Sequence, residues 1–246
     1  MAELIRLSKL MSQRGLSSRR EADRLIEQGL VVVDGKVVDT LGTKVSESAN
    51  IELSKRGKQQ QEQRVSIMLN KPVGIVSGQA EDGYTPAVRL ITAESHSKLD
   101  QSGVAFSPRQ LDGIAPAGRL DIDSQGLLVL TQDGRLAKQI IGERTELEKE
   151  YLVRVNQEAT LEQIKRLQFG LELDGKPLKR AKVIQINSEQ LKFVLTEGKK
   201  RQIRRMCELV DLRVYGLKRV RIGQLKLGKL AEGEWRYVTL PELLGK

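Results

Sequence analysis

The sequence predicts an α+β protein in two units, a small helix-helix-hairpin domain and a larger domain built on a mixed or antiparallel sheet. Three observations carry this prediction. A capping box opens a helix at Ser18, an Asp34-Gly35 turn joins two β-branched runs, and beyond residue 65 short β-rich runs alternate with a few helical segments.

The first element, "IRLSKLMSQR", places Ile5, Leu7, Leu10 and Met11 on roughly one side, and Gly15 suits its C-terminal stop. Ser18 followed three residues later by Glu21 reads as a capping box, in which each side chain satisfies a backbone N–H at the helix end. The second helix runs through "READRLIEQ" and stops at Gly29. "LVVVDGKVV" follows, and Asp-Gly supplies the positive φ angles of a tight hairpin turn.

The stretch "SKRGKQQQEQR" (54–64) is polar, lacks apolar periodicity and reads as a linker. The predicted division is therefore a small domain over 1–54, a linker over 55–64 and a large domain over 65–246. In the large domain, β-rich runs fall at 65–69, 127–131, 150–155, 182–186, 191–196 and 220–227, and helical segments at 135–141, 159–168 and 201–210. Residues 94–116, with the single histidine His96, read as a surface insertion with no functional reading for the histidine.

Charge narrows the function. Lys and Arg number 42 against 32 Asp and Glu, a net charge of +10 that points to a polyanion, nucleic acid first. Six basic residues (Arg6, Lys9, Arg14, Arg19, Arg20, Arg24) lie within the first two helices or the turn between them. The densest patch is 197–221, where Lys199, Lys200, Arg201, Arg204 and Arg205 fall within seven residues. Aromatics make up only 3%, which argues against a single-strand binder relying on base stacking and favours structured RNA. One cysteine, Cys207, read as core, excludes an internal disulfide, and one cysteine plus one histidine make no metal site. With no apolar run near the roughly 20 residues of a membrane span, the expectation is a cytoplasmic, metal-free protein away from membranes.

"AGRLDIDSQGLLVLTQDG" (117–134) raises the chemical question, because Arg119, Asp121 and Asp123 directly precede an apolar run. Read alone, Asp121 is more often a turn aspartate capping its own backbone. The surrounding motifs change that reading. "RLSKLMSQRGLSSRREADRLIEQGLVVVDGKVV" (6–38) resembles the small αL RNA-binding domain first named in a ribosomal small-subunit protein. "LNKPVGIVS", "GRLDIDSQGLLVLTQDG", "EKEYLVRV" and "GKKRQIRRM" resemble the RsuA-like family of ribosomal RNA pseudouridine synthases. "RQIRRMCE" and "GEWRYVTLPEL" look most like its large-subunit branch, typified by RluF.

The resemblance implies isomerisation of uridine to pseudouridine without a cofactor, most readily in 23S ribosomal RNA, as part of ribosome biogenesis, by a monomer. Some relatives modify small-subunit RNA and some accept a transfer RNA. It implies that Asp121 acts at the sugar, either as a nucleophile on C1′ or as a base toward the C2′ proton. It implies further that Arg204 pairs with Asp121 and favours its ionised form, that Tyr151 stacks on the target base, and that Ile222 or Leu225 lies beneath it. Arg119 is expected to organise the loop or the RNA backbone, Lys71 and Pro72 to shape the wall, and Asp123 to be structural. Two other readings compete: a non-catalytic ribosome-assembly module, and a magnesium-dependent nuclease, which would need more carboxylates than this segment gathers.

Overall fold

The computed structural model describes residues 4–78, 83–142 and 145–245. Leu4–Arg6 (β1) is extended and pairs with Lys44–Ser46 (β4), so the first helix, α1, spans Leu7–Gln13 and begins two residues later than its apolar pattern suggests. Gly15 takes a positive φ of 75° just beyond it. The second helix, α2 (Arg19–Glu27), carries the expected box: Glu21 N donates to Ser18 Oγ and Ser18 N to Glu21 Oε2, both at 3.3 Å. Val31–Val33 (β2) pairs with Lys36–Val38 (β3) through the Asp34-Gly35 turn, and with Ile51–Leu53 (β5) on its other side. Leu7, Leu10, Met11, Leu25, Ile26 and Val31 close a core between the helices and this sheet.

The expected linker is instead a helix, α3 (Lys55–Glu62). Ser54 Oγ caps it by accepting from Gly57 N at 3.2 Å. It shows no apolar stripe because its close contact with the small domain is made by a glycine: a Cβ on Gly57 would lie 3.1 Å from the Leu30 carbonyl. Gln61 Nε2 then donates to Leu16 O (2.7 Å) and to Glu21 Oε1 (3.2 Å), and Arg64 forms an ion pair with the same Glu21.

In the large domain the main sheet has nine strands among the described residues. In chain order these are β6 (Ser66–Lys71), β7 (Ala115–Pro116), β8 (Gln125–Thr131), β9 (Lys149–Val155), β12 (Lys182–Asn187), β13 (Gln190–Leu195), β14 (Val214–Ile222), β15 (Leu225–Lys226) and β16 (Trp235–Tyr237); a separate hairpin joins β10 (Glu172–Leu173) to β11 (Lys176–Pro177). The spatial order is β12-β13-β9-β14-β8-β6-β16, with β7 on β8 and β15 on β14. All pairings are antiparallel except β14 with β8, so the sheet is mixed. Every residue of β6 is buried, and its alternate side chains enter two cores. Ile67 and Leu69 join Val153, Phe193 and Trp235 on one side, and Met68 joins Leu127, Leu136 and Ile140 on the other. Helices α4 (Gly134–Ile141), α5 (Leu161–Gln168), α6 (Gln202–Glu208) and α7 (Leu240–Leu244) complete the domain. The small domain docks on α4, where Lys138 Nζ donates to Ser12 O at 2.8 Å and a Cβ on Gly134 would come within 2.3 Å of Ser18 Cβ.

The 94–116 segment is no loose surface insertion: it covers the edge strand β16. The His96 ring stacks on the fully buried Trp235 at 4.1 Å, Trp235 Nε1 donates to Thr92 O at 2.8 Å, and the Tyr237 hydroxyl donates to Gln110 Oε1 at 2.6 Å. An edge with its backbone groups engaged is closed to pairing with another chain. Asp100 anchors this cover, accepting from Tyr237 N and Ser102 N (both 2.7 Å) and bonded to His96 Nε2 at 2.8 Å. Burial alone would raise the Asp100 pKa, but the bonds from Ser102, His96 and Tyr237 outweigh it and pull the carboxyl from its ordinary 3.8 to about 2. A depressed carboxylate pKa stabilises the fold fully above the ordinary value, and that stabilisation disappears as pH falls through the folded value. Asp100 should thus contribute about 2 kcal/mol at neutral pH that fades between pH 4 and 2. Acid titration of unfolding should therefore show a shallower limb for Asp100→Asn than for the wild type; parallel limbs would refute the assignment.

Candidate active site

The segment before β8 is a tight turn held from outside. Ser124 N donates to Asp121 O (3.0 Å), Gly74 N donates to Ile122 O (2.8 Å), and Ser77 Oγ both donates to Leu120 O (2.7 Å) and accepts from Leu120 N (2.9 Å). Lys71, fully buried, braces the segment behind it by donating Nζ to Pro72 O (2.8 Å) and Ile75 O (2.7 Å). Burial pulls its pKa down to about 8 against the opposing pull of Asp123 and Asp121.

This turn presents Asp121 to a cleft of about 720 Å³, which Arg119, Lys149, Tyr151, Arg204, Leu217 and Arg219 also line. Tyr151 is 8% exposed on β9, opposite Phe193 of β13 and Arg219 of β14. Arg119 is exposed; its backbone carbonyl accepts from Arg219 Nη1 at 3.3 Å.

Two site expectations are corrected here. Arg204 reaches Asp123, not Asp121: its Nε lies 3.3 Å from Asp123 Oδ2, its Nη2 donates to Asp123 O at 2.8 Å and its Nη1 to Val214 O at 3.2 Å. Asp123, expected to be structural, is an ion-pair partner, with Arg201 forming a second, forked pair to it at 3.1 and 2.9 Å. Burial would raise the Asp123 pKa, but the Arg201 hydrogen bonds and the charges of Arg204 and Arg201 hold it below the usual carboxylate range. The cation closest to Asp121 is Arg201, with Nη1 at 3.9 Å from Oδ2. Arg201 adopts a left-handed φ of 51°, a conformation that costs a non-glycine residue about 1 kcal/mol or more and that here aims its guanidinium at the turn.

Second, neither Ile222 nor Leu225 lines the cleft. Both pack with Leu127, Val129, Leu136 and Ile140 in the other core. A register shift between Arg219 and Arg221 breaks the strand's alternation just before Ile222, and the apolar cleft residue on β14 is Leu217. Cys207 is buried, as the sequence suggests, and burial pushes its thiol up to about 12.

The basic residues separate into four groups. Lys199, Lys200 and Arg201 line the cleft beside Asp121. Arg19, Arg20 and Arg24 line a larger groove of about 1430 Å³ between the two domains, joined there by Arg109 and Lys138. Groove and cleft share Pro116, Ile141 and Gly142, so the basic face of α2 leads to Asp121. Arg6 and Lys9 are exposed on the small domain. Arg14 and Arg205 are committed elsewhere, Arg14 to the carbonyls of Ala49 and Glu47 and Arg205 to a forked pair with Asp174 (2.9 and 2.6 Å). Lys149 and Arg219 escaped the sequence reading. Lys149 sits two residues before Tyr151, hence on the same strand face, and Arg219 lies in a basic run between Lys218 and Arg221 that does not set it apart.

With this geometry in view, comparison with known proteins is decisive. Residues 65–209 match the model of RNA pseudouridylate synthases, and residues 5–51 match that of the S4 domain. The chain belongs to the RNA pseudouridine synthase family. It is 38% identical over 98% of its length to the dual-specificity RNA pseudouridine synthase RluF of Escherichia coli (strain K12), covering 77% of that protein. It is 33% identical to ribosomal large subunit pseudouridine synthase B of Bacillus subtilis (strain 168), over 97% of this chain and 93% of that one. A crystal structure of a pseudouridylate synthase superposes with a TM-score of 0.65 at 26% identity, covering 97% of this chain and 98% of the other. This pseudouridine synthase is therefore an isomerase acting on uridine in RNA, and the fold expected from its motifs is the one observed.

Arg204 offers a direct test of the site's construction. A lysine keeps the charge but cannot serve Asp123 and Val214 together. Arg204→Lys is expected to lose about 2 kcal/mol of stability and to slow turnover with RNA affinity unchanged. An unaltered thermal midpoint together with full activity would show that the clasp on Asp123 is dispensable.

Proposed function

We propose that this synthase isomerises a uridine of large-subunit (23S) ribosomal RNA, with Asp121 as the carboxylate that opens the reaction. One observation carries the assignment. Among the described residues, the carboxylates lining the cleft are Asp121 and Glu197. Glu197 is occupied by Gln202 Nε2 (2.8 Å) and Lys179 N (3.1 Å), whereas the Asp121 carboxylate accepts no hydrogen bond among the described residues and stands 38% exposed with Arg201 as its nearest cation. An unencumbered carboxylate beside a buried tyrosine suits attack on C1′ or removal of the C2′ proton, and both routes use the same atoms.

Tyr151 supplies the surface on which the extruded base stacks. Arg204 positions the turn through Asp123, and Arg119 and Lys199–Arg201 meet the RNA backbone at the rim. No cofactor enters the chemistry. Large-subunit RNA is favoured because the Bacillus subtilis relative is named for that substrate. The dual specificity in the name of the Escherichia coli relative makes a second RNA, a transfer RNA, the next substrate to assay. The protein acts as a cytoplasmic monomer in ribosome biogenesis.

Uridine labelled with tritium at C5 must lose that hydrogen when C5 takes over the glycosidic bond. Wild type is expected to release tritium from 23S RNA, and Asp121→Asn to abolish release while RNA affinity changes by no more than a few-fold. Retained release in Asp121→Asn would remove Asp121 from its role, and release from 16S RNA alone would move the substrate to the small subunit.

The small domain is proposed to dock the RNA through Arg19, Arg20 and Arg24. Replacing all three with glutamine should lower the slope of log affinity against log salt by about 2 to 3 and leave the rate at saturating RNA intact. An unchanged slope would place the docking face elsewhere.

A further inference from the structure

Arg219 is only 3% exposed, yet it has no carboxylate partner among the described residues. Its Nε donates to Leu127 O (2.8 Å) and its Nη1 to Arg119 O (3.3 Å), while its buried Nη2 has no hydrogen-bond partner among the described residues. Lys149, 8% exposed, likewise forms no ion pair there. Burial and the charge of Arg219 both lower its pKa, so the two cations feel each other. Arg219 stands directly across from Tyr151 in the sheet, Lys149 is two residues before Tyr151 on the same strand, and all three line the cleft with Asp121. Desolvating two like charges without a counter-charge is costly, and such an arrangement is stabilised by an anion that arrives or forms between them.

We propose that Arg219 and Lys149 form the site that receives the uracil anion released when the glycosidic bond breaks. This inference rests on the reading of Asp121 as the acting carboxylate. Breaking N1–C1′ leaves the bonding electron pair on uracil, spread over N1, O2 and O4. C1′ is taken by the Asp121 carboxylate, or shares a double bond with C2′ once Asp121 has removed the C2′ proton. C5 then bonds to C1′ and displaces the carboxylate or, in the second route, recovers the proton at C2′. The C5 hydrogen leaves to solvent and N1 takes up a proton. In both routes a neutral base becomes an anion over Tyr151, and donors already fixed and dry are worth most where charge develops. The ground-state uridine is uncharged, so these cations act on the rate and not on RNA affinity.

The test uses the full chain, RNA that supports tritium release, and the variants Lys149→Met and Arg219→Lys. Single-turnover rates at saturating RNA are expected to fall about 10²-fold in Lys149→Met, with the dissociation constant unchanged. Arg219→Lys should fall less, because charge is kept while the fork is lost. A transcript carrying 5-fluorouridine, whose base is a better leaving group, should recover most of the Lys149→Met defect when loss of the fluorouridine is followed. Full rates in Lys149→Met overturn the proposal, as does weaker RNA binding with an intact rate, which would make the pair a phosphate anchor. If Arg219→Lys fails to fold, Lys149→Met alone decides. Turnover retained in Asp121→Asn would instead refute the underlying reading of Asp121.

Discussion

The Arg204 side chain is the point on which the site depends. One guanidinium, almost wholly buried, donates to the carbonyls of Asp123 and Val214 and forms an ion pair with the Asp123 carboxylate. It therefore ties together the turn before β8, the helix α6 that carries it and the start of β14. An arginine this deep would be unfavourable unless most of its five donors found acceptors. The turn before β8 and the start of β14 supply them only in the folded state, so the charge demands the arrangement as much as it stabilises it. Arg201 adds a second, more exposed pair to the same Asp123 and is thereby held within 3.9 Å of Asp121. Asp121 gains its freedom from this division of labour: its neighbour satisfies the cations.

The sheet then fixes what faces Asp121. Tyr151, Arg219 and the turn before Gln125 belong to β9, β14 and β8, three consecutive strands of the sheet. The β14–β8 pairing is its one parallel step, and there Arg219 lies against Gly126, whose φ is 102°. A Cβ on Gly126 would stand 2.3 Å from the Arg219 carbonyl, so only glycine permits this approach. The close approach lets the Arg219 side chain span the junction to the carbonyls of Leu127 and Arg119. Strand order thus turns residues 30 or more positions apart in the chain into one wall, beyond the reach of any local pattern.

That distance explains what was legible. The Ser18–Glu21 box, the Asp34-Gly35 hairpin and the buried runs of β6 and β8 are written in residues at most a few positions apart, and each appears as read. The motif around Asp121 delivers its residue to a cleft for the same reason. Partnerships were not legible. Asp121 and Asp123 are two residues apart, and only the path of α6 decides which one Arg204 meets. The resemblance put Ile222 or Leu225 beneath the base, but a register shift before Ile222 and the packing of both residues in the other core are set by strand pairing, which no local pattern registers. The helix over Lys55–Glu62 left no apolar stripe because its packing residue is a glycine, which hydrophobic periodicity does not register. Arg14 and Arg205 looked like surface charge until the backbone and Asp174 claimed them.

The docking of the small domain follows from the same sharing of one residue between two tasks. Glu21 closes the capping box of α2 and also meets Arg64 and Gln61 at the end of α3. The helix that carries Arg19, Arg20 and Arg24 is thereby anchored through its own first turn to the entrance of β6, while Ser12 and Ser18 rest on α4. Helix α4 also supplies Ile141, which belongs to both the interdomain groove and the cleft. RNA held on the α2 face is then held at a fixed offset from Asp121, and binding far from the reacting base raises the effective concentration of that base at the carboxylate. On a freely jointed tether the same contacts would add affinity without this positioning. Under the proposed docking of RNA on α2, a polar helix in place of a flexible linker would convert charge on a small domain into orientation at a distant cleft.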